Sequence, residues 1–397
     1  MELEKKDLRG TFTMAPMDDI HYGRGSLSRL GEILERHGIR RALLITGNTL
    51  RTNDGLMQAV SRAAGGRIAG IFSETKAHVP RSVVVRAADM AREIGADGII
   101  SFGGGSPNDT AKTVALALAE NIRTVDDFDR CKIRFVYPST IEVPEAKGVA
   151  PPIVAIPTTL SAGEYTWFAG VTDEVNKVKD LYLAKSMTAK AVILDADVTV
   201  DTPQWLWLSS GIRAVDHCVE TLCSLDAHPF TDATASHALR MLNRYLRESR
   251  DDPADMVART QLQIASWMAF CAVANVNLGL SHGIGHQLGA RCGVPHGVTS
   301  CVMLHNVLRF NLEATRERQA FVAELMALPG EAPTNAADAV LGLVQYLGQP
   351  YRLRDVGVKK EDFPVLAEDA MADMIVATNP RRVNSMSEVI GLLETAY

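Results

Sequence analysis

The chain of 397 residues has room for two domains of ordinary size, and 47% hydrophobic residues with a mean hydropathy of +0.02 describe a soluble globular protein with ample core. A formal charge of −6 with scattered basic residues argues against nucleic acid or an anionic membrane as partner. No basic stretch followed by an apolar run suggests a signal peptide, and the six cysteines show no CxxC pair or framework spacing, which points to reduced thiols in a cytoplasmic protein.

In chain order, short apolar strands are expected at 42–46, 68–72, 98–102, 153–156 and 191–194, with amphipathic helices at 27–37, 56–64, 82–94 and 107–119. This rhythm predicts a parallel sheet with helices on both faces. The polar, proline-containing stretch 121–152 reads as a functional or variable loop. Beyond about residue 200 the strand signal fades, and helices are expected at 205–224, 232–247, 256–280, 320–327, 336–347 and 363–374. The apolar run 264–280 is interrupted by Asn275 and Asn277 and falls short of the roughly 20 residues a membrane span needs, so a buried core helix is expected. The fold predicted is an α/β domain over 1–200 and an all-helical domain over 201–397, with the ligand in the cleft between them.

The densest signal is Ile99-Ile100-Ser101-Phe102-Gly103-Gly104-Gly105-Ser106-Pro107-Asn108-Asp109-Thr110-Ala111-Lys112, read as a strand, a triple-glycine turn and a helix start. Gly103, Gly104 and Gly105 permit a tight bend and close approach to a ligand. Ser106 is expected as N-cap with Pro107 in the first turn, and such a helix end holds a phosphate through free N–H groups and the helix dipole. The alternative is a structural turn closed by a capping box of Ser106 with Asp109.

Four of the ten histidines cluster in the second half. His217 follows Arg213 at helical spacing, His282 and His286 form a second such pair, and His296 lies in Val294-Pro295-His296-Gly297, read as a loop. Imidazoles on two helices and a loop can converge on a metal, or they can be buried structural groups.

Together these segments resemble the iron-containing (group III) alcohol dehydrogenase family across nearly the whole chain. The 103–112 pattern resembles its phosphate motif, and Pro157-Thr158-Thr159-Leu160-Ser161-Ala162-Gly163-Glu164 resembles its second cofactor segment. Residues 278–311 resemble its histidine signature. The resemblance implies a Rossmann-like N-terminal domain with a parallel sheet, a helical C-terminal domain, and NAD(P)-dependent alcohol/carbonyl interconversion in a homodimer or larger oligomer. The implied cofactor residues are Gly47, Gly103, Gly104, Gly105, Ser106, Asp109, Thr158, Thr159, Ser161 and Lys179, the last where the family commonly has a lysine.

One position departs from the pattern. The family's iron or zinc is usually held by an Asp and three His, which here correspond to Arg213, His217, His282 and His296. A guanidinium repels a divalent cation, which argues against Fe2+ or Zn2+ in this chain. Asp216 is a poor substitute ligand because it is adjacent to His217 and faces elsewhere. The metal-independent maleylacetate reductases also lack the Asp and share a His-Val-Pro segment like His78-Val79-Pro80. The reading is therefore an oxidoreductase in which Arg213 supplies positive charge or clamps an anionic carbonyl substrate, with His217 beside it and His286 as proton relay. Maleylacetate reductase proper, a dehydroquinate synthase-like lyase and a non-catalytic nucleotide-binding protein are the alternatives. Residues 45–49 carry no acid at the end of the second strand and Arg51 is close by, so NADPH is expected to be accepted and preferred.

Overall fold

The computed structural model describes residues 10–136 and 140–397, which form two compact units: Ala15–Thr202, and Pro203–Tyr397 together with residues 10–14.

The first unit is built on strands β1 (Asp19–Tyr22), β2 (Ala42–Thr46), β3 (Ile68–Phe72), β4 (Gly98–Gly103), β5 (Arg134–Val136), β6 (Thr140–Glu142), β7 (Ile153–Pro157), β8 (Phe168–Asp173), β9 (Val178–Leu183) and β10 (Ala191–Leu194). Six of them form a wholly parallel sheet in the order β1-β10-β7-β4-β2-β3. Every residue of β2, β4, β7 and β10 is buried, as expected of a parallel sheet covered on both faces. Helices α1 (Leu30–Arg36), α2 (Asn48–Arg51), α3 (Asp54–Ala63), α4 (Arg81–Glu93) and α5 (Gly105–Ala119) supply the cover. Leu30, Ile33 and Leu34 of α1 pack in one cluster with Leu44, Ile100, Phe102, Val154 and Ile193 of the strands. The strand order reverses between β2 and β4, so the carboxyl ends of these two strands mark the crevice where such sheets take ligands.

The five expected strands are present, and three features depart from expectation. β1 is an edge strand of sequence DIHY, too short and polar to signal itself. The stretch read as a loop over 121–152 carries the β5–β6 hairpin, whose residues 137–139 lie outside the described ones. A second hairpin, β8–β9, follows β7 and pairs Thr172 with Lys179.

The second unit is helical: α6 (Gln204–Cys223), α7 (Pro229–Asp251), α8 (Met256–Val273), α9 (Leu280–Cys292), α10 (His296–Met326), α11 (Ala336–Tyr346), α12 (Phe363–Ala372), α13 (Met374–Ala377) and α14 (Met386–Thr395). α6 is the central element, buried at every position from Trp207 to Cys223. The helix expected over 256–280 is two. It stops at Val273, where the Asn275 amide exchanges hydrogen bonds with the backbone of Thr13, and resumes at Leu280 as α9. His296 is the first residue of α10 rather than a loop residue, and α10 absorbs the helix expected at 320–327 across a kink at Thr315. The pattern over 363–374 breaks at Asp373, whose carboxylate caps α13 through the Ile375 N–H. Among the described residues no helix is long and apolar enough to cross a membrane.

Candidate functional site

The glycine turn sits at the carboxyl end of β4, beside the point where the strand order reverses. Gly103 has φ +143, a conformation that side chains rarely adopt, and a Cβ there would meet Pro107 Cγ at 2.8 Å. The first helical residue of α5 is Gly105 and its N-cap is Gly104, with no side-chain cap. Ser106 therefore does not cap the helix, and no capping box with Asp109 forms. A Cβ on Gly104 would lie 3.0 Å from Thr159 Cγ2, whereas one on Gly105 would lie 3.5 Å from Ser161 Oγ, an ordinary contact. An uncapped helix start, facing the Thr159–Ser161 hydroxyl pair (3.1 Å apart), is the geometry in which backbone N–H groups and the dipole receive an anion. The residues present thus fit the diphosphate of a dinucleotide.

Other candidates in this unit are placed as follows. Thr158 is buried; its N–H donates to Gly103 (3.0 Å) and its carbonyl accepts from Thr202 Oγ1 (2.8 Å). Asp109 is turned onto Lys112 at 2.7 Å, and the buried Lys112 ammonium also donates to Gly163 O, Thr166 Oγ1 and Phe168 O. That set ties α5 to the segment after β7. Lys179 is half-buried in β9 against Gly170, and its charge, after burial, helps hold the His78 imidazole below its usual range. Gly47 is the N-cap of α2, and a Cβ there would stand 3.6 Å from Thr75 Oγ1, so the absence of an acid at this position is not steric. Sequence reading did not single out Glu164 by role. It is buried next to Asn108 (Nδ2 to Oε2 3.3 Å), which accepts from Ser101 Oγ at 2.5 Å, and burial pushes its carboxyl up to about 7.

In the second unit the histidine pairs separate into two groups. Arg213, Asp216, His217 and Glu220 lie on α6, all buried, and meet the start of α9 and α10. Gly297 permits this approach, since a Cβ there would be 2.7 Å from the backbone of Ser209. Asp216 Oδ2 accepts from Ser281 Oγ (2.7 Å) and Ser300 Oγ (2.6 Å), and Arg213 Nη1 lies 3.5 Å from the same oxygen while donating to Ser300 Oγ (3.0 Å). The reading of Asp216 as misdirected needs correction. It stands three residues from Arg213, a spacing that shares a face, and its Oδ2 lies 3.6 Å from His282 Nδ1. Glu220 accepts the N–H groups of Gly279 (3.1 Å) and Ser281 (2.9 Å), capping α9 from another helix, and pairs with His282 Nδ1 at 2.6 Å. Burial pushes both carboxyls up and holds the His217 and His282 imidazoles well below their usual range; Arg213 adds to the effect on both rings.

His286 and His296 form the other group, stacked with ring centroids 6.2 Å apart. His286 Nδ1 is 3.2 Å from Asp373 Oδ2, which also accepts from Gln287 Nε2 at 3.1 Å. An Nδ1–H held in this way leaves Nε2 as the exchanging atom. Asp216, Ser281, Ser300, Glu220 and Asp373 carry no motif that assigns them these roles; only the i, i+3 spacing of Arg213 and Asp216 was legible.

A buried guanidinium 3.5 Å from Asp216 Oδ2 sets this arrangement against a divalent metal. Among the described residues His217, His282 and His296 do not converge as ligands; the donors that come within 4.8 Å of one another here belong to Asp216, Glu220 and His282. Of these, Asp216 Oδ2 is engaged by Arg213 and two serines, and Glu220 by two backbone amides and His282 Nδ1.

Residues 17–196 match the model of the iron-containing alcohol dehydrogenase family, and residues 207–397 that of the C-terminal part of the Fe-containing alcohol dehydrogenases. The chain is 32% identical over 384 residues to the NAD-dependent methanol dehydrogenase of Bacillus methanolicus, covering 94% of this chain and 97% of that protein. It is 31% identical over 376 residues to the maleylacetate reductase of Pseudomonas sp. (strain P51), covering 95% and 94%. The solved structure of a 1,3-propanediol oxidoreductase superposes with a TM-score of 0.87 at 31% identity, over 98% of this chain and 100% of that one.

Proposed function

Since the chain belongs to the iron-containing alcohol dehydrogenase family, we propose that it is a nicotinamide-dependent oxidoreductase that interconverts a small alcohol and its carbonyl compound and accepts NADPH at least as well as NADH. The observation that carries the cofactor reading is the uncapped start of α5 at the switch point of the sheet. Gly103–Ser106 and Thr158, Thr159 and Ser161 hold the diphosphate, and Lys179, on the hairpin that follows β7, is a further cofactor contact. Asp109 acts indirectly, by fixing Lys112. Gly47, in place of an acid after β2, leaves the ribose 2′ position without a carboxylate to repel a phosphate.

The nicotinamide, when bound, supplies or accepts the hydride at the carbinol carbon. The chain's own task is to manage the oxygen's charge and proton. His286, oriented by Asp373, moves the proton at Nε2. Arg213 contributes fixed positive charge, and His217 packs beside it as a neutral ring. The expectation that Arg213 awaits a substrate carboxylate is revised, because Ser300 and Asp216 already engage it. An anionic substrate is therefore no longer required by this residue.

A second reading, reduction of maleylacetate, is favoured by the buried Arg213 cation beside Asp216 and by the likeness to a maleylacetate reductase. The working picture is of a cytoplasmic homodimer with a small-molecule substrate. The test is oxidation of NADPH and NADH against aldehydes, ketones and keto acids, maleylacetate included. One cofactor consumed per carbonyl reduced supports the reading. Cofactor binding without turnover of any member supports instead a non-catalytic nucleotide-binding protein, and carbonyl-independent conversion of a substrate with cofactor recycled supports a lyase.

A further inference from the structure

We propose that the buried Arg213–Asp216 ion pair, clamped by Ser281 and Ser300, stands where relatives of this chain hold a divalent metal, so that the resident cation of the centre is a guanidinium and the site rejects divalent metal ions. The inference rests on the oxidoreductase reading for its purpose, but its geometry is independent of any substrate.

Arg213 is 2% exposed and Asp216 fully buried. A buried guanidinium is stable only with a counter-charge, and the fold supplies one within a hydrogen-bonded set drawn from three helices. Asp216 on α6 provides the charge, while Ser281 at the start of α9 and Ser300 near the start of α10 each donate to the same carboxylate oxygen. Ser300 Oγ closes the circuit by accepting from Arg213 Nη1. One carboxylate oxygen thus joins the three elements on which the expected ligands sit. The charge exchange is also complete. The family's ligand pattern offers one negative group at position 213; this chain has a positive one, and the carboxylate has moved three residues along the same face to hold it. An arginine side chain stays protonated under all ordinary conditions, so it repels a dication at any pH in which the fold survives.

The same cluster retains unpartnered polar atoms. Among the described residues Arg213 Nε, Asp216 Oδ1, His217 Nδ1 and His282 Nε2 are buried without a hydrogen-bond partner. A cluster built only for stability leaves few such atoms, so these point to a polar ligand. With Arg213 Nε as a charged donor and the two imidazoles beside it, the ligand class is a small oxygen centre that carries partial negative charge, such as a carbonyl or alkoxide oxygen.

The experiment uses the full-length protein purified without added metal. Iron and zinc content is measured, Co2+ is titrated with visible absorption as the readout, and Zn2+ binding is followed by calorimetry. Wild type is expected to hold far less than one equivalent of metal and to show no four-coordinate Co2+ band. Arg213→Asp, which removes the guanidinium and adds a carboxylate beside the Asp216, Glu220 and His282 donors, is expected to gain the band, with Co2+ affinity raised on the order of 100-fold; Arg213→Lys, which keeps the charge, is expected to stay dark. The wild-type measurement stands even if a variant fails to fold. One equivalent of tightly held iron or zinc in wild type, with loss of thermal stability on chelation, overturns the proposal, as does a folded Arg213→Asp that binds no better than wild type. NADPH titration of the same samples separates the two readings: bound nucleotide with bound metal sinks only this inference, whereas absent nucleotide binding sinks the proposed cofactor site.

Discussion

The glycine turn after β4 and the charged cluster around α6 solve different problems with different materials. The first is made of backbone: it presents N–H donors at an uncapped helix start, and side chains matter mainly by being absent. The second is made of side chains drawn from α6, α9 and α10, each held by another. A backbone site survives change wherever no side chain intrudes. An interlocked charge cluster does not tolerate loss of one member, because the partner left behind is a buried charge.

The largest effect that this contrast predicts is at Asp216. Asp216→Ala strands the Arg213 guanidinium and two serine hydroxyls, and is expected to cost about 3–5 kcal/mol in urea unfolding. A loss under about 1 kcal/mol would show that the cluster is not interlocked. In the backbone site the corresponding change is Gly105→Val. Its Cβ makes an ordinary contact, so the unfolding midpoint should hold while NADPH affinity falls about 100-fold, or about 2.7 kcal/mol. Equal affinity in a folded Gly105→Val protein would move the nucleotide elsewhere.

Two smaller effects sharpen the contrast inside the first unit. Glu164 is held as a neutral acid by burial, its carboxyl pushed up to about 7 from an unfolded value near 4.5. Stability from this group is complete below the unfolded value and is lost as pH rises through the folded one, at up to about 1.4 kcal/mol per pH unit. Glu164→Gln should flatten the stability profile between those values, and an unchanged slope would place the dependence on another group. Gly47→Asp should shift the ratio of kcat/KM for NADPH over NADH about 10-fold toward NADH, about 1.4 kcal/mol. The 3.6 Å clearance to Thr75 Oγ1 gives the new side chain room to do so.

The same contrast explains what was legible in the sequence. Apolar runs of four or five residues and a Gly-Gly-Gly turn are local signals, so the sheet strands 42–46, 68–72 and 98–102 and the turn after the last of them appeared directly. The N-cap was misplaced from Gly104 to Ser106 because serine is the better cap by preference, while here the helix starts uncapped. Asn275 and Asn277 flagged a break in the apolar run, but the pairing of Asn275 with Thr13 is set by residues far away in the chain. Asp373 and Ser300 carried no signal, since their partners His286 and Arg213 lie 87 residues away in each case. Asp216 was visible yet misjudged: it was weighed as a neighbour of His217 when its partner is Arg213, three residues back.

The central claim is that this oxidoreductase works around a guanidinium instead of a metal ion. Its most direct measurement is carbonyl-dependent NADPH oxidation by the purified wild-type protein before and after exhaustive chelation, with metal content determined on both samples. The account predicts the same rate in both, with far less than one equivalent of iron or zinc in either. A rate abolished by chelation and restored by Fe2+ or Zn2+ would contradict it.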